Sequence, residues 1–382
     1  VIKINLISLL TYIIIIFSIP SLLQQLPLIG MIPKILGALL FIILICIILK
    51  RITYKKIIII CSLITITTTS LIYTENMKLN FKDLIYFYTF ILFVLVISDE
   101  SLFKLIKYEF SIKTELIKRV LIVSNIILFL SFFNPTSYYT SWGENGRYFK
   151  GLTVMPQVMA SISLLILLMT IYFFKNNTHI KYQFLLYIIP IISILATGAR
   201  SYLIPLIFVL LGYFIKNFGY IKTLLIVILA SPLIISVFLK SSIYGKFLYV
   251  LEFEYSNSLF SSLTSGRSDV WINCFNHYIS EYSIIEKLIG SSFDNVYSII
   301  NHYTSMNIWA HNDIVNTLMS SGLVGVFIYL YTFMDMKKIF MINNSKKISF
   351  LLFLITFSCI MLTNGLFVSI TSTFAILLYI LI

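Results

Sequence analysis

Apolar residues fall into long runs separated by polar connections, at about 4–23, 33–49, 57–74, 83–98, 117–133, 152–174, 182–197, 201–216, 221–239, 314–334, 348–363 and 365–382. A helix that crosses the hydrocarbon of a bilayer needs about 20 mostly apolar residues. The pattern therefore predicts an all-α polytopic membrane protein with about 12 transmembrane helices in a single integral membrane domain, residues 1–382. The last two runs form a tight hairpin around Thr363-Asn364-Gly365. The N-terminal run has no small-residue cleavage site and reads as a first span, not a removed leader. Two connections break the short pattern, 134–151 and 240–313. The second is a large extracytoplasmic loop before the tenth helix, and a loop of about seventy residues is expected to fold over the membrane face. Within it, Asp269 to Ile279 carries apolar and aromatic residues at helical spacing and predicts an amphipathic helix near the surface.

Composition agrees. The chain is 59% hydrophobic with a mean hydropathy of +0.98, and its 11% of charged residues is well below what a soluble domain carries. The net charge of +13 invites a nucleic-acid reading, but the basic residues lie in short clusters between apolar runs. That is the positive-inside signal, and nucleic acid is not an expected partner. With both termini cytoplasmic, 18 of the 28 basic residues fall on the inner side. The four cysteines are far apart and show neither a disulfide framework nor metal-ligand spacing.

Only five residues are arginine. Arg51 and Arg119 sit in cytoplasmic clusters, while Arg147, Arg200 and Arg267 are all on the outer side, each shortly after a glycine. Arg200 occupies a very short turn between two apolar runs, where a charge is costly unless it faces a partner or water. A guanidinium presents a planar fork that matches phosphate oxygens and stays charged, so the three suit a lipid-linked diphosphate. The plainer alternative pairs Arg147 with Glu144 and Arg267 with Asp269; Arg200 has no acidic neighbour in sequence. His311 sits where the long loop meets the tenth span, followed by Asn312 and Asp313. Its side chain titrates near neutrality and suits a general base, or else it is an interfacial histidine satisfied by a backbone carbonyl. Gly322 and Gly325, a turn apart, mark a face where another helix can approach closely. Asp269, Asp294 and Asp313 are the other acid–base candidates outside. His277 and His302 share the loop without metal spacing, and His179 is cytoplasmic. No phosphate-binding GxxxxGK loop or serine triad is present.

Four segments in this order resemble the O-antigen polymerase and O-antigen ligase superfamily. They are Gly146-Arg147-Tyr148-Phe149-Lys150-Gly151 leading to Met155-Pro156-Gln157, Thr197-Gly198-Ala199-Arg200-Ser201, Ser265-Gly266-Arg267-Ser268-Asp269-Val270-Trp271, and His311-Asn312 followed by Gly322-Leu323-Val324-Gly325. The likeness covers about 140–335; the earlier part matches only in having several spans. It implies a metal-independent, cofactor-free, inverting glycosyltransferase in the bacterial inner membrane. Such an enzyme moves a glycan from an undecaprenyl-diphosphate-linked oligosaccharide to a sugar hydroxyl on the outer face, with the bilayer and a chain-length regulator as partners. Carried over, Arg200 and Arg267 clamp the diphosphate, with Arg147 as a third. His311 acts as base or hydroxyl orienter, Asp313 assists it, and Trp271, Asp269 and Asn312 bind glycan. Asp313 stands where ligases often have Glu.

The Gly-Arg…Trp pattern at 266–271 and Gly290 after an aliphatic pair favour a polymerase of O-antigen or capsule repeat units, with a ligase to lipid A core as the alternative. A lipid-linked oligosaccharide flippase is the reading from another class; against it stands an outer polar mass confined to one half of the chain, without the repeat symmetry common in transporters. A non-catalytic assembly subunit is a further one.

Overall fold

A computed structural model describes residues 5–140, 147–176, 183–241, 243–245, 248, 264, 266–305, 307–342 and 347–382. The protein is an all-α membrane protein. Among the described residues, six helices are long and apolar enough to cross a bilayer, and four shorter apolar helices accompany them: Leu6–Leu22, Gln183–Ala196, Ser349–Thr363 and Ile370–Leu381.

Two helices form the centre. α5 (Met77–Ile97) and α8 (Pro156–Asn176) bury most of their surface. α8 packs against α9 (Gln183–Ala196) and α17 (Ile370–Leu381), and hydroxyls hold these contacts. Ser161 meets Thr371 at 2.7 Å and Ser163 meets Ser193 at 2.9 Å. In lipid, where burial of apolar surface gives little drive, small residues and interhelical hydrogen bonds do this work. α5 contributes Phe87, Phe90 and Phe93, whose rings pack on Tyr329, Phe367 and Phe374.

Basic side chains gather at one end. Lys55 and Lys338 both pair with Asp335, Lys56 pairs with Asp99, and Lys113 with Glu109. There the chain also forms α6 (Glu100–Ile112), where the apolar pattern shows only a connection. Asp99 caps it through the amides of Ser101 and Leu102, and Leu102, Phe103, Ile106 and Phe110 form its buried face.

At the opposite end the long loop is folded. Its described part makes α11 (Arg267–Ser280), α12 (Ile284–Ile289) and α13 (Phe293–Thr304). α11 is the expected amphipathic helix, burying Val270, Cys274 and Tyr278. α13 is fastened to the hairpin between α4 (Tyr54–Tyr73) and α5. Asp294 accepts from Thr74 Oγ1 (3.0 Å) and from the amides of Glu75 (2.8 Å) and Asn76 (2.5 Å). Tyr297 donates to Asp83 at 2.7 Å.

Four expected runs differ in shape. The runs 201–216 and 221–239 join in α10 (Arg200–Leu239), interrupted only by the non-helical backbone of Gly219. The run 365–382 starts as helix only at Ile370, leaving 364–369 irregular. The run 314–334 lies in α14 (Asp313–Asp335), which is not straight, because Gly322 adopts φ 61, ψ −164. Tyr329 donates to Asp313 at 2.5 Å although the two are 16 residues apart, a separation of about 24 Å along a straight helix. The two arms therefore fold toward each other about Gly322. Gly325 lies in the angle, and a Cβ there would meet Ser321 and Thr317 of the first arm. The close approach marked by the paired glycines is thus partly the helix against itself.

Candidate functional site

The site forms where four backbone irregularities meet: the turn before α10, the start of α11, residues 308–312, and residues 364–369. Non-helical backbone at membrane depth is tolerated where protein or a cavity surrounds it. Each irregularity presents one residue of the expected set or a support for it.

Thr197 and Gly198 set the first. The Ala199 amide donates to Thr197 Oγ1 at 3.2 Å, Gly198 has φ 65, and Arg200 becomes the first residue of α10. Two residues on, Tyr202 is fully buried, its hydroxyl 3.2 Å from Ser372 Oγ and 3.5 Å from Asn364 Nδ2. Arg267 opens α11 after the left-handed Gly266. Its guanidinium donates to the Thr363 carbonyl, at the C-terminal end of α16 (Lys347–Thr363), where the helix dipole favours a cation. The expected alternative of an Arg267–Asp269 pair does not occur among the described ion pairs, and Asp269 lies exposed on α11. Arg267 is close enough to Arg200 for their charges to repel. Burial first, and then Arg200, pushes its guanidinium down to about 10, still charged at neutral pH.

His311 is one of two non-glycine residues with positive φ among those described, at φ 52. The left-handed region is uncommon for a residue with a side chain, and such positions cluster at functional sites. Its ring packs 4.7 Å from that of Trp309, and its Nδ1 is buried without a hydrogen-bond partner among the described residues. Burial, then the nearby Arg267 charge, pushes the imidazole down to about 3, so it is neutral at pH 7. Trp271 fixes the segment: its indole N–H donates to the Ala310 carbonyl at 2.7 Å, tying α11 to the residue before His311.

Asn312 caps α14, its amide oxygen accepting from Ile314 N (2.9 Å) and Val315 N (3.2 Å). Asp313 is fully buried; its Oδ2 accepts from Tyr329 and from the Leu366 amide at 2.6 Å. Its Oδ1 has no partner among the described residues, nor do Asn316 Oδ1 and Thr317 Oγ1 below it. Gly365 makes this possible. It has φ 80, and a Cβ there would lie 2.4 Å from the Trp309 ring and 2.6 Å from Asp313 Oδ1.

The structure thus brings together Arg200, Arg267, His311, Trp271, Asn312 and Asp313. The last three serve as brackets: Trp271 and Asn312 hold the backbone of 310–315, and Asp313 joins α14 to the 364–369 turn. Arg147 is exposed, just before a two-residue strand, Tyr148–Phe149, paired with Tyr138–Tyr139. Tyr148 from that strand lies near Arg200. Glu144, the suggested partner of Arg147, and His179 lie outside the described residues. Asp294 is a structural anchor, since donors from Asn76, Ser292, Glu75 and Thr74 converge on it and hold its carboxyl below the usual range despite burial. His277 contacts Tyr303 at 3.4 Å, away from the arginines' described contacts. Among the described residues no group of three or more His, Cys, Asp or Glu is placed to hold a metal ion. The sequence reading missed Tyr329, Trp309, Tyr202 and the Thr363 carbonyl. Only Trp309 carried a signal, as an aromatic two residues from His311.

Comparisons with family models, with curated proteins and with solved structures find no match for this chain.

Proposed function

We propose that this protein is a membrane-embedded glycosyltransferase that polymerises lipid-linked oligosaccharide repeat units. The observation that carries the reading is the convergence of Arg200 and Arg267 beside a neutral, strained His311. Two guanidinium groups in a largely buried site repel each other, and a dianionic ligand between them reverses that cost. A sugar diphosphate carries this charge, and its oxygens match the guanidinium forks.

The reaction follows. The acceptor hydroxyl oxygen attacks the anomeric carbon, and its proton passes to His311. The bond from that carbon to the diphosphate oxygen breaks with inversion, and the electron pair leaves on the diphosphate, stabilised by Arg200 and Arg267. Free His311 is a weak base because burial disfavours its protonated form and Arg267 adds repulsion. A bound diphosphate offsets the arginine charge, which removes that repulsion and makes the imidazole more basic when the donor is in place. Asp313, Trp271 and Asn312 position this group.

The reading includes twelve spans with both termini cytoplasmic in a bacterial inner membrane. The gathering of Lys55, Lys56, Lys113 and Lys338 at the end away from Arg200 and Arg267 supports that orientation. The acceptor is then a second lipid-linked repeat unit on the outer face.

The test compares surface glycan and extracted lipid-linked intermediates from a deletion strain carrying wild type, Arg200→Ala, Arg267→Ala or His311→Ala. Single repeats at the surface, with the long ladder gone and protein still in the membrane, are expected for each variant. Full-length polymer stranded on carrier lipid would make the protein a ligase, and repeats held on the inner leaflet would make it a flippase. A normal ladder from His311→Ala would remove the base.

A further inference from the structure

The short helix α12 belongs by sequence to the outer polar loop, yet it exposes apolar side chains. Ile284 is 79% exposed and Ile285 and Leu288 are also exposed, while its two charged residues are satisfied internally. Glu286 closes a capping box with Ser283, and Lys287 Nζ donates to the Ile279 carbonyl at 2.7 Å.

Its depth follows from its neighbour. A Cβ on Gly322 would lie 2.5 Å from the Leu288 carbonyl group and 2.6 Å from the Gly290 amide; one on Gly290 would lie 2.3 Å from Ser320 and Ser321 backbone. The Ser291 amide and the Tyr282 hydroxyl both donate to the Met319 carbonyl, at 3.3 and 3.1 Å. The end of α12 is therefore locked at the level of Gly322. From Gly322 the second arm of α14 descends to Asp335, which sits with Lys55 and the exposed Lys338 at the basic boundary. Thirteen residues rise about 20 Å. The hydrocarbon layer is about 30 Å thick, so Gly322 lies at least about 10 Å inside the opposite boundary, and tilting the arm only deepens it. The other side agrees: Gly290 is four residues from Asp294, which holds the outer end of α4, and four residues span at most about 13 Å.

We infer that the segment Ser283–Gly290 is a re-entrant element that dips from the outer face into the bilayer, with acyl chains covering Ile284, Ile285 and Leu288. The occupant is lipid because the patch continues into surfaces already facing it. α12 packs between α4 and α14, whose neighbouring Ile72, Leu323 and Phe327 are exposed apolar residues of spanning helices. Charges at this depth would be costly, and the only two present are tied back to the protein. The inference needs only the membrane, not the polymerase reading. If both hold, α11 and Arg267 are carried on a lipid-anchored hairpin at the level where a lipid-borne anion arrives.

The unaltered protein in bilayers tests this. Vesicles are prepared with a phosphatidylcholine bearing a diazirine midway along one acyl chain, irradiated, and the adducts mapped by mass spectrometry. Adducts on Ile284–Leu288 at a yield comparable to those on Leu323 and Phe327 are expected. Labelling of Phe327 with only background at 284–288 overturns the inference, because water or protein then covers the patch. Hydroxyl-radical footprinting of the same vesicles reads the complement: protection of Ile284 and Ile285 in bilayers is expected, and strong oxidation overturns it. Loss of polymer plays no part in either readout, so failure here leaves the polymerase reading untouched.

Discussion

Gly322→Ala tests the arrangement that brings Asp313 to Tyr329. Two costs add. The backbone at φ 61, ψ −164 lies where only glycine is comfortable, and forcing a side chain to hold such a conformation costs about 1–3 kcal/mol. The new methyl would also meet Leu288 and Gly290 backbone at 2.5–2.6 Å, which cannot rotate away; overpacking of that kind costs about 1–3 kcal/mol. The sum, about 2–6 kcal/mol, is a large part of a typical stability of about 5–15 kcal/mol. Gly212→Ala is the control. Gly212 is in regular helix, and its Cβ would lie 3.2 Å from the Tyr379 hydroxyl and 3.6 Å from Leu352 Cδ1, both side-chain ends that can shift. Glycine to alanine in a helix interior gains up to about 1 kcal/mol, so Gly212→Ala should be neutral or stabilising. Thermal unfolding in detergent, followed by loss of the monodisperse chromatographic peak, compares them with wild type. Gly322→Ala should unfold well below wild type and lose polymer. If it unfolds no earlier than Gly212→Ala and the ladder stays full length, the two arms do not fold together about Gly322.

Trp271→Phe keeps the ring but leaves the buried Ala310 carbonyl without its donor, a loss of about 1–3 kcal/mol; lowered thermal stability with shortened surface glycan is expected, and an unchanged ladder would separate Trp271 from the positioning of His311. The His311 imidazole is held down to about 3 in the folded protein against about 6.5 when unfolded. Below about pH 6.5 the unfolded chain therefore takes up a proton that the folded chain refuses, and stability falls by up to about 1.4 kcal/mol per pH unit toward pH 3. Unfolding measured across that window should show a shallower slope in His311→Gln than in wild type; equal slopes would mean His311 is not held neutral. Asp294→Ala removes three hydrogen bonds that fasten α13 to the α4–α5 hairpin, so limited proteolysis should cut the 264–305 segment faster than in wild type.

Much of the architecture was legible because lipid imposes it. A spanning helix must be long, apolar and flanked by charge, and runs such as 83–98 and 152–174 announce α5 and α8 directly. α6 was not legible, because an amphipathic helix of thirteen residues with Lys104 and Lys107 on its exposed side reads as a charged connection. The bend in α14 was written only as Gly322, and glycine in an apolar run signals close approach without saying what approaches.

The site divides the same way. Arginines that lie beside glycines in a lysine-rich protein stand out by chemistry, and so does a histidine at the edge of an apolar run; Arg200, Arg267 and His311 needed no fold to be noticed. What orients them leaves no local trace. Tyr329 reaches Asp313 only because Gly322 bends the helix, and the Leu366 amide reaches it only because Gly365 admits the Trp309 ring. The Thr363 carbonyl that holds Arg267 is backbone, which no residue type reveals. The two supports of Asp313 are each made possible by a glycine with positive φ. A site of this kind is sensitive at positions with no chemistry of their own. Loss of function on replacing Gly322 or Gly365, with the arginines and His311 intact, would follow from the fold and from nothing visible in the motifs.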